Sequence, residues 1–182
     1  MTMSPPLRKA ALAAHLTFSV GWIGTVVAYL ALGVAAANSK HAPTVRGAWM
    51  AMELTGWYVI VPLALASLLT GVVMALGTNW GLFRHYWVLF SFVLTVFATV
   101  ILLLHMPTVS SMADVAQEAE GARLDRLGGD LLHPGIGLVV LLVILVLNVY
   151  KPRGMTRYGQ RKQREKREKR RQEDEQRAAL VP

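Results

Sequence analysis

The sequence predicts an all-α membrane protein: a four-helix transmembrane bundle with both termini cytoplasmic, an amphipathic helix in an outer loop and a charged C-terminal tail. Three observations predict it. Hydrophobic residues make up 54% of the chain and charged ones only 16%, with a mean hydropathy of +0.41, too apolar for a soluble chain of this size. Four apolar stretches are long enough to cross a hydrocarbon layer of roughly 30 Å, which takes about 20 helical residues. Lys and Arg gather on one side of those stretches, as topology requires. Helices are the natural reading because lipid offers the backbone no hydrogen-bond partner.

The first span runs from about Ala10 to Ala37. Arg8 and Lys9 precede it and Ala35 to Ala37 resemble a cleavage site, but its apolar part is about twice a signal peptide's core, so it reads as a retained span. The second runs from Ala51 to Leu76, the third from His85 to Met106 and the fourth from Leu131 to Tyr150. Gly24, Pro62 and Gly71 do not overturn these spans, since membrane helices tolerate both residue types. In the second, Glu53, Trp57, Ile60, Ala64, Ser67 and Gly71 share one face with small residues below, suited to close helix contact and to a homo-oligomer. The fourth is apolar all round and faces lipid. Residues 1–150 form the membrane domain and 151–182 a basic cytoplasmic tail.

Arg8, Lys9, Arg84 and the tail fall on one side of four spans. The outer surface then holds a short loop over 38–50 and a longer one over 107–130. In the longer loop Met112, Val115, Ala119 and Ala122 recur at helical spacing opposite acids, which predicts an amphipathic helix on the membrane surface. The tail carries 12 of the 19 basic and 5 of the 11 acidic residues. It reads as a solvated, partly helical extension, with anionic lipid headgroups as the alternative partner. Nucleic acid is not expected, because no aromatic residue interleaves with the basic run.

The chain has no cysteine, which excludes disulfides, thiolate metal sites, covalent haem attachment and cysteine nucleophiles. No P-loop, GxSxG, HExxH or GxGxxG motif occurs. Metal chemistry must use histidine, methionine or carboxylate, and the five histidines divide between the two faces. His41, His105 and His133 lie at the outer face with Glu53, Met50, Met52, Met106 and Met112. Imidazole and thioether suit copper, Cu(I) especially, and a carboxylate at membrane depth is a functional candidate by default. The plainer alternative is that methionines fill gaps and interfacial histidines bind water. At the inner face His15, Trp22 and Tyr29 recur every seven residues on one helical face, forming a wall for a planar ring with His15 as one axial ligand and His85 as the other. Haem accepts axial imidazole, and bundles build such sites from facing helices. His85 and His105 are 20 residues apart, about 200° around a regular helix. Either His85 precedes that helix, or one of the two faces a neighbouring subunit.

AAHLTFSVGWIG, with His15, Trp22 and Gly24 as H-x6-W-x-G, resembles the first-helix signature of small bacterial membrane proteins of the copper-resistance D type and of related four-helix families of unknown function. ELTGWYVIVPLALASLLTG and RHYWVLFSFVLTVFATVILLLHMP are similar to the second and third spans of such a family. The resemblance covers residues 7 to 150. It implies a multi-pass protein of the bacterial plasma membrane handling metal or haem, like haem-copper membrane oxidoreductases, with His15, His85, His105 and His133 as ligands.

The expected function is therefore a membrane-bound haem b redox protein with copper at its outer face. It would pass electrons from a quinol or protein donor to the outer metal, with Trp22, Trp57 and Trp87 near the path. Its rivals are a copper transport or tolerance protein and a membrane anchor with a docking tail. A transporter needs polar groups at intermediate depth, where this chain offers hydroxyls such as Thr25, Ser67 and Thr95. An anchor would survive loss of its histidines but not of its tail.

Overall fold

The computed structural model describes residues 3–78, 81–120 and 127–179. The described residues form five helices: α1 (Pro5–Asn38), α2 (Ala42–Gly77), α3 (Tyr86–Glu118), α4 (Leu132–Tyr150) and α5 (Arg157–Ala179). The first four are long and apolar enough to cross a membrane. Outside helices, the described residues hold a single isolated backbone bridge, between His85 and Met155.

Proline sets the starts. α1 and α2 each carry Pro in their first two positions, where its missing N–H is an orphan donor in any case. Short connections then fold the chain up and down, and two contacts define the ends of the bundle. At the terminal end Met3 N–H donates to the Gly77 carbonyl at 3.1 Å. At the distal end the segment before α4 lies directly on Gly33 of α1, where a Cβ would meet the Asp130 carbonyl oxygen at 2.7 Å.

α2 is not regular throughout. Gly56–Ile60 forms a π-helical turn, followed by Pro62, which has no N–H to donate one turn back. The extra residue in the wide turn shifts the helix face by one position. Ile60, Ala64 and Ser67 lie on the buried face as the sequence expects, but before the turn and at its first residue that face belongs to Met52 and Gly56. Glu53 is only half-buried and Trp57 is 38% exposed. A strict 3.6-residue repeat carried across the turn misplaces them both.

α2 and α3 are also longer than their apolar cores. The 36 residues of α2 reach about 54 Å at 1.5 Å per residue, well beyond a hydrocarbon layer of roughly 30 Å. The sequence ends the third span at Met106 and places a separate surface helix in the following loop. In the structure α3 continues through Pro107 to Glu118. Met106, Val109, Ala113 and Ala116 are buried in the same core as Val45, Ala48, Trp49 and Met52 of α2, and this burial carries the helix past the proline. Arg46 completes the end, its guanidinium donating to the carbonyls of Ala116 at 3.2 Å and Ala119 at 2.7 Å, acceptors that a helix terminus leaves unpaired. The predicted amphipathic stripe is present but central on Val109, Ala113 and Ala116, with Met112 and Val115 half-buried. Ala122 lies outside the described residues.

α4 fully buries only Leu141; Leu138 and Ile144 pack partly against the core, while Leu142, Val143, Val146 and Val149 are exposed. α5 is fastened to the turn before α3. Thr156 donates its backbone N–H to the Arg84 carbonyl at 3.0 Å and its hydroxyl to the Phe83 carbonyl at 2.5 Å, while that hydroxyl accepts from Gly159 N–H at 3.1 Å.

Candidate metal centre

At the distal end three side chains from two helices and a loop converge. Asp130 Oδ2 lies 2.7 Å from His105 Nε2 of α3 and accepts a hydrogen bond from the Tyr29 hydroxyl of α1 at 2.9 Å. The His105 and His133 rings stack with centroids 3.9 Å apart and 17° between planes. Ligand atoms of His105, Asp130 and His133 all lie within 4.8 Å of one another.

Two glycines bring Asp130 there. Gly33 and Gly129 meet backbone to backbone with no room for a Cβ on either, so the loop rests on α1 one turn beyond Tyr29. Gly128 has φ +58°, a left-handed conformation that glycine adopts freely, and its carbonyl accepts from Trp49 Nε1 at 3.3 Å. Asp130 and His133 then share one side of the chain at the entry to α4.

Burial pushes the Asp130 carboxyl up, but the hydrogen bonds from His105 and Tyr29 and the nearby charge of His105 and His133 outweigh it, leaving it below the usual carboxylate range. An ionised carboxylate only accepts, so the proton in the short contact belongs to His105 Nε2 when no metal is bound. The Asp130 side chain is 9% exposed and that of His105 16%, whereas His133 is exposed. The centre is thus enclosed on the α1 and α3 side and open at His133. Beneath it lies a cavity of about 320 Å³ lined by Trp22, Tyr29, Ile60, Met106 and apolar residues of α3 and α4.

The remaining candidates scatter. His41 is exposed at the N-cap of α2, Met50 is 42% exposed and Met52 is fully buried in the core. Glu53 does not join the cluster, for the helical reason given above. Met106 does line the cavity, its thioether packed where a Cβ on Gly56 would stand 2.7 Å from Sδ. Trp57 Nε1 donates to Ser110 Oγ at 3.1 Å, away from the cavity wall.

The inner candidates divide as well. A second cavity of about 720 Å³ opens toward the terminal end, with His15, Trp22 and Trp87 on its wall. His85 is not on that wall. It is the N-cap of α3, with extended backbone, so it precedes the regular helix and no second subunit is needed to explain its direction. Trp22 and Leu141 line both cavities and form the partition between them.

Sequence reasoning missed Asp130. Its signal was present: D-L-L-H places an acid three residues before the histidine that opens the fourth apolar stretch, where an acid is a functional candidate. Compared with known proteins, the chain matches no family model, no curated protein and no solved structure.

Proposed function

We propose that the chain is a multi-pass membrane redox protein of the bacterial plasma membrane, built on a transition-metal centre of His105, Asp130 and His133 at its outer face, with both termini cytoplasmic. The observation that carries this reading is the convergence of two imidazoles and an ionised carboxylate within 4.8 Å at the rim of an apolar cavity. Tetrahedral metal bonds of about 2.0–2.1 Å separate ligand atoms by about 3.3 Å, so metal binding requires the two stacked imidazoles to turn out of parallel until both lone pairs meet one ion. Two histidines and one carboxylate leave open positions, as redox-active iron and copper sites require. Copper is the ion favoured, because the Met106 thioether lines the cavity beside His105 and soft ligands favour Cu(I).

Electron transfer is favoured over ion passage. Trp22 and Leu141 stand between the two cavities, and an ion would need polar groups in their place. The apolar cavity under the metal, walled partly by α4, suits the ring of a quinol donor arriving from lipid. Membrane lipid is the natural partner of the outward face of α4.

The test is copper loading of the detergent-purified protein, followed by metal assay and electron paramagnetic resonance. The expected outcome is one copper per chain with a nitrogen-coupled Cu(II) signal, lost on His105→Ala and His133→Ala. A protein that retains no copper, or retains it equally in both variants, overturns the reading.

A further inference from the structure

The stacking of His105 on His133 has a negative consequence for haem. Imidazoles 3.9 Å apart and nearly parallel leave no room for a macrocycle between them, so they cannot be its opposite axial ligands. The inner cavity offers different chemistry. Its volume of about 720 Å³ falls within the range of roughly 300–1,000 Å³ in which proteins hold cofactors and similar ligands.

His15 is prepared as a ligand. Its Nδ1 lies 3.1 Å from Thr70 Oγ1, and that hydroxyl spends its own hydrogen on the Ala66 carbonyl at 2.6 Å. Thr70 can therefore only accept from His15, which fixes the proton on Nδ1 and leaves the Nε2 lone pair for a metal. Histidines that bind metal commonly have their other N–H held in this way. The ring lies against Gly71, where a Cβ would meet His15 Cε1 at 3.2 Å, so its orientation is fixed by packing as well.

The rest of the cavity divides by chemistry. Leu12, Leu16, Leu68 and Trp22 make its proximal surroundings apolar, and Arg8 and Lys9 stand on its wall at the terminal end. The α3 and α4 side of the lining has no histidine or methionine; its polar residues are Ser91, Thr95 and Asn148, with Lys151 at the terminal end, and Asn148 Nδ2 donates to Ser91 Oγ at 3.2 Å. Met74 is on the wall, but on α2 three residues from Gly71, the side His15 already occupies.

We propose that this cavity holds one b-type haem, five-coordinate through His15 Nε2, with its two propionates toward Arg8 and Lys9 and its open iron face toward Ser91 and Asn148. The site is independent of the outer metal centre; only a relay between the two, through Trp22, rests on both. A haem with one protein ligand and a polar group on the open side binds small diatomic molecules, because the polarity of that pocket governs access to the iron.

The test uses the full-length protein in detergent, titrated with hemin and followed by absorption spectroscopy. Expected are one haem per chain, a reduced spectrum of the five-coordinate high-spin type and a Soret shift with carbon monoxide. His15→Gly should lose the haem and regain it with added imidazole. Thr70→Val should weaken binding by about 10–100-fold, the usual effect of removing a ligand's supporting hydrogen bond. Arg8→Gln with Lys9→Gln should weaken it without changing the spectrum. His133→Ala should keep the haem spectrum while losing copper, so failure of one site is read separately from failure of the other. No Soret band after titration, a spectrum unchanged in His15→Gly, or a six-coordinate reduced haem indifferent to carbon monoxide would each overturn the proposal.

Discussion

Tyr29 and Asp130 stand 101 residues apart in the chain and 2.9 Å apart in the fold. The phenol donates to the same Oδ2 that His105 Nε2 contacts, so it orients Asp130 from α1 without being a metal ligand. Replacing it with Phe removes a hydrogen bond to a charged acceptor, worth about 1.5–3 kcal/mol. Thermal unfolding of metal-free Tyr29→Phe should show a loss of that size. Its copper site should remain, with weaker affinity, whereas Asp130→Ala should abolish binding.

The lowered pKa of Asp130 has a defined pH signature. A carboxyl lowered in the folded state contributes stability that is complete above its unfolded value of about 3.9 and is lost as pH falls through its lower folded value. The stability difference between wild type and Asp130→Asn, both metal-free, should stay constant from neutral pH to about pH 4 and shrink below it. A difference that is instead lost near pH 6–7 would show that histidine protonation governs the site.

Gly33 sets the position of the carboxylate through the backbone. A Cβ there meets the Asp130 carbonyl oxygen at 2.7 Å, and backbone cannot yield as a side chain can. Gly33→Ala should cost about 1–3 kcal/mol by overpacking and lower copper affinity more than Gly24→Ala, where a Cβ meets nothing within 4 Å. Isothermal titration of both variants makes the comparison.

Met106 separates packing from ligation. Met106→Leu nearly conserves volume and should cost under about 1.5 kcal/mol, while Met106→Ala opens a cavity and should cost about 2–5 kcal/mol. If the thioether contributes to Cu(I), Met106→Leu will weaken Cu(I) selectively and leave Cu(II) binding near wild type. Competition titrations in both oxidation states measure this.

Much of the architecture was legible because hydropathy reports burial in lipid directly. The four apolar stretches follow from that, whereas the seven-residue recurrence of His15, Trp22 and Tyr29 put three residues on one wall, of which Tyr29 lies instead at the distal end, against Asp130. Two features were not legible, for different reasons. The π turn at Gly56–Ile60 adds one residue to a repeat, so periodicity drew Glu53 and Trp57 onto a face that Met52 and Gly56 occupy. The continuation of α3 past Pro107 depends on burial against α2, a tertiary effect that local sequence does not contain. At the site, His105 and His133 were conspicuous as histidines at span ends. Asp130 was not, because its position depends on Gly33 and Gly129 touching across almost a hundred residues of chain.

The attachment of the tail to the turn before α3 has a mechanical meaning. Thr156 grips the carbonyls of Phe83 and Arg84, immediately below a helix of 33 residues that carries His105 in its upper half. A helix transmits axial load with little bending, so the tail acts on α3 as a handle acts on a rod. Any partner that pulls α5 away from the bundle loads the base of α3, the helix that carries His105 and its 2.7 Å contact with Asp130 toward the other end.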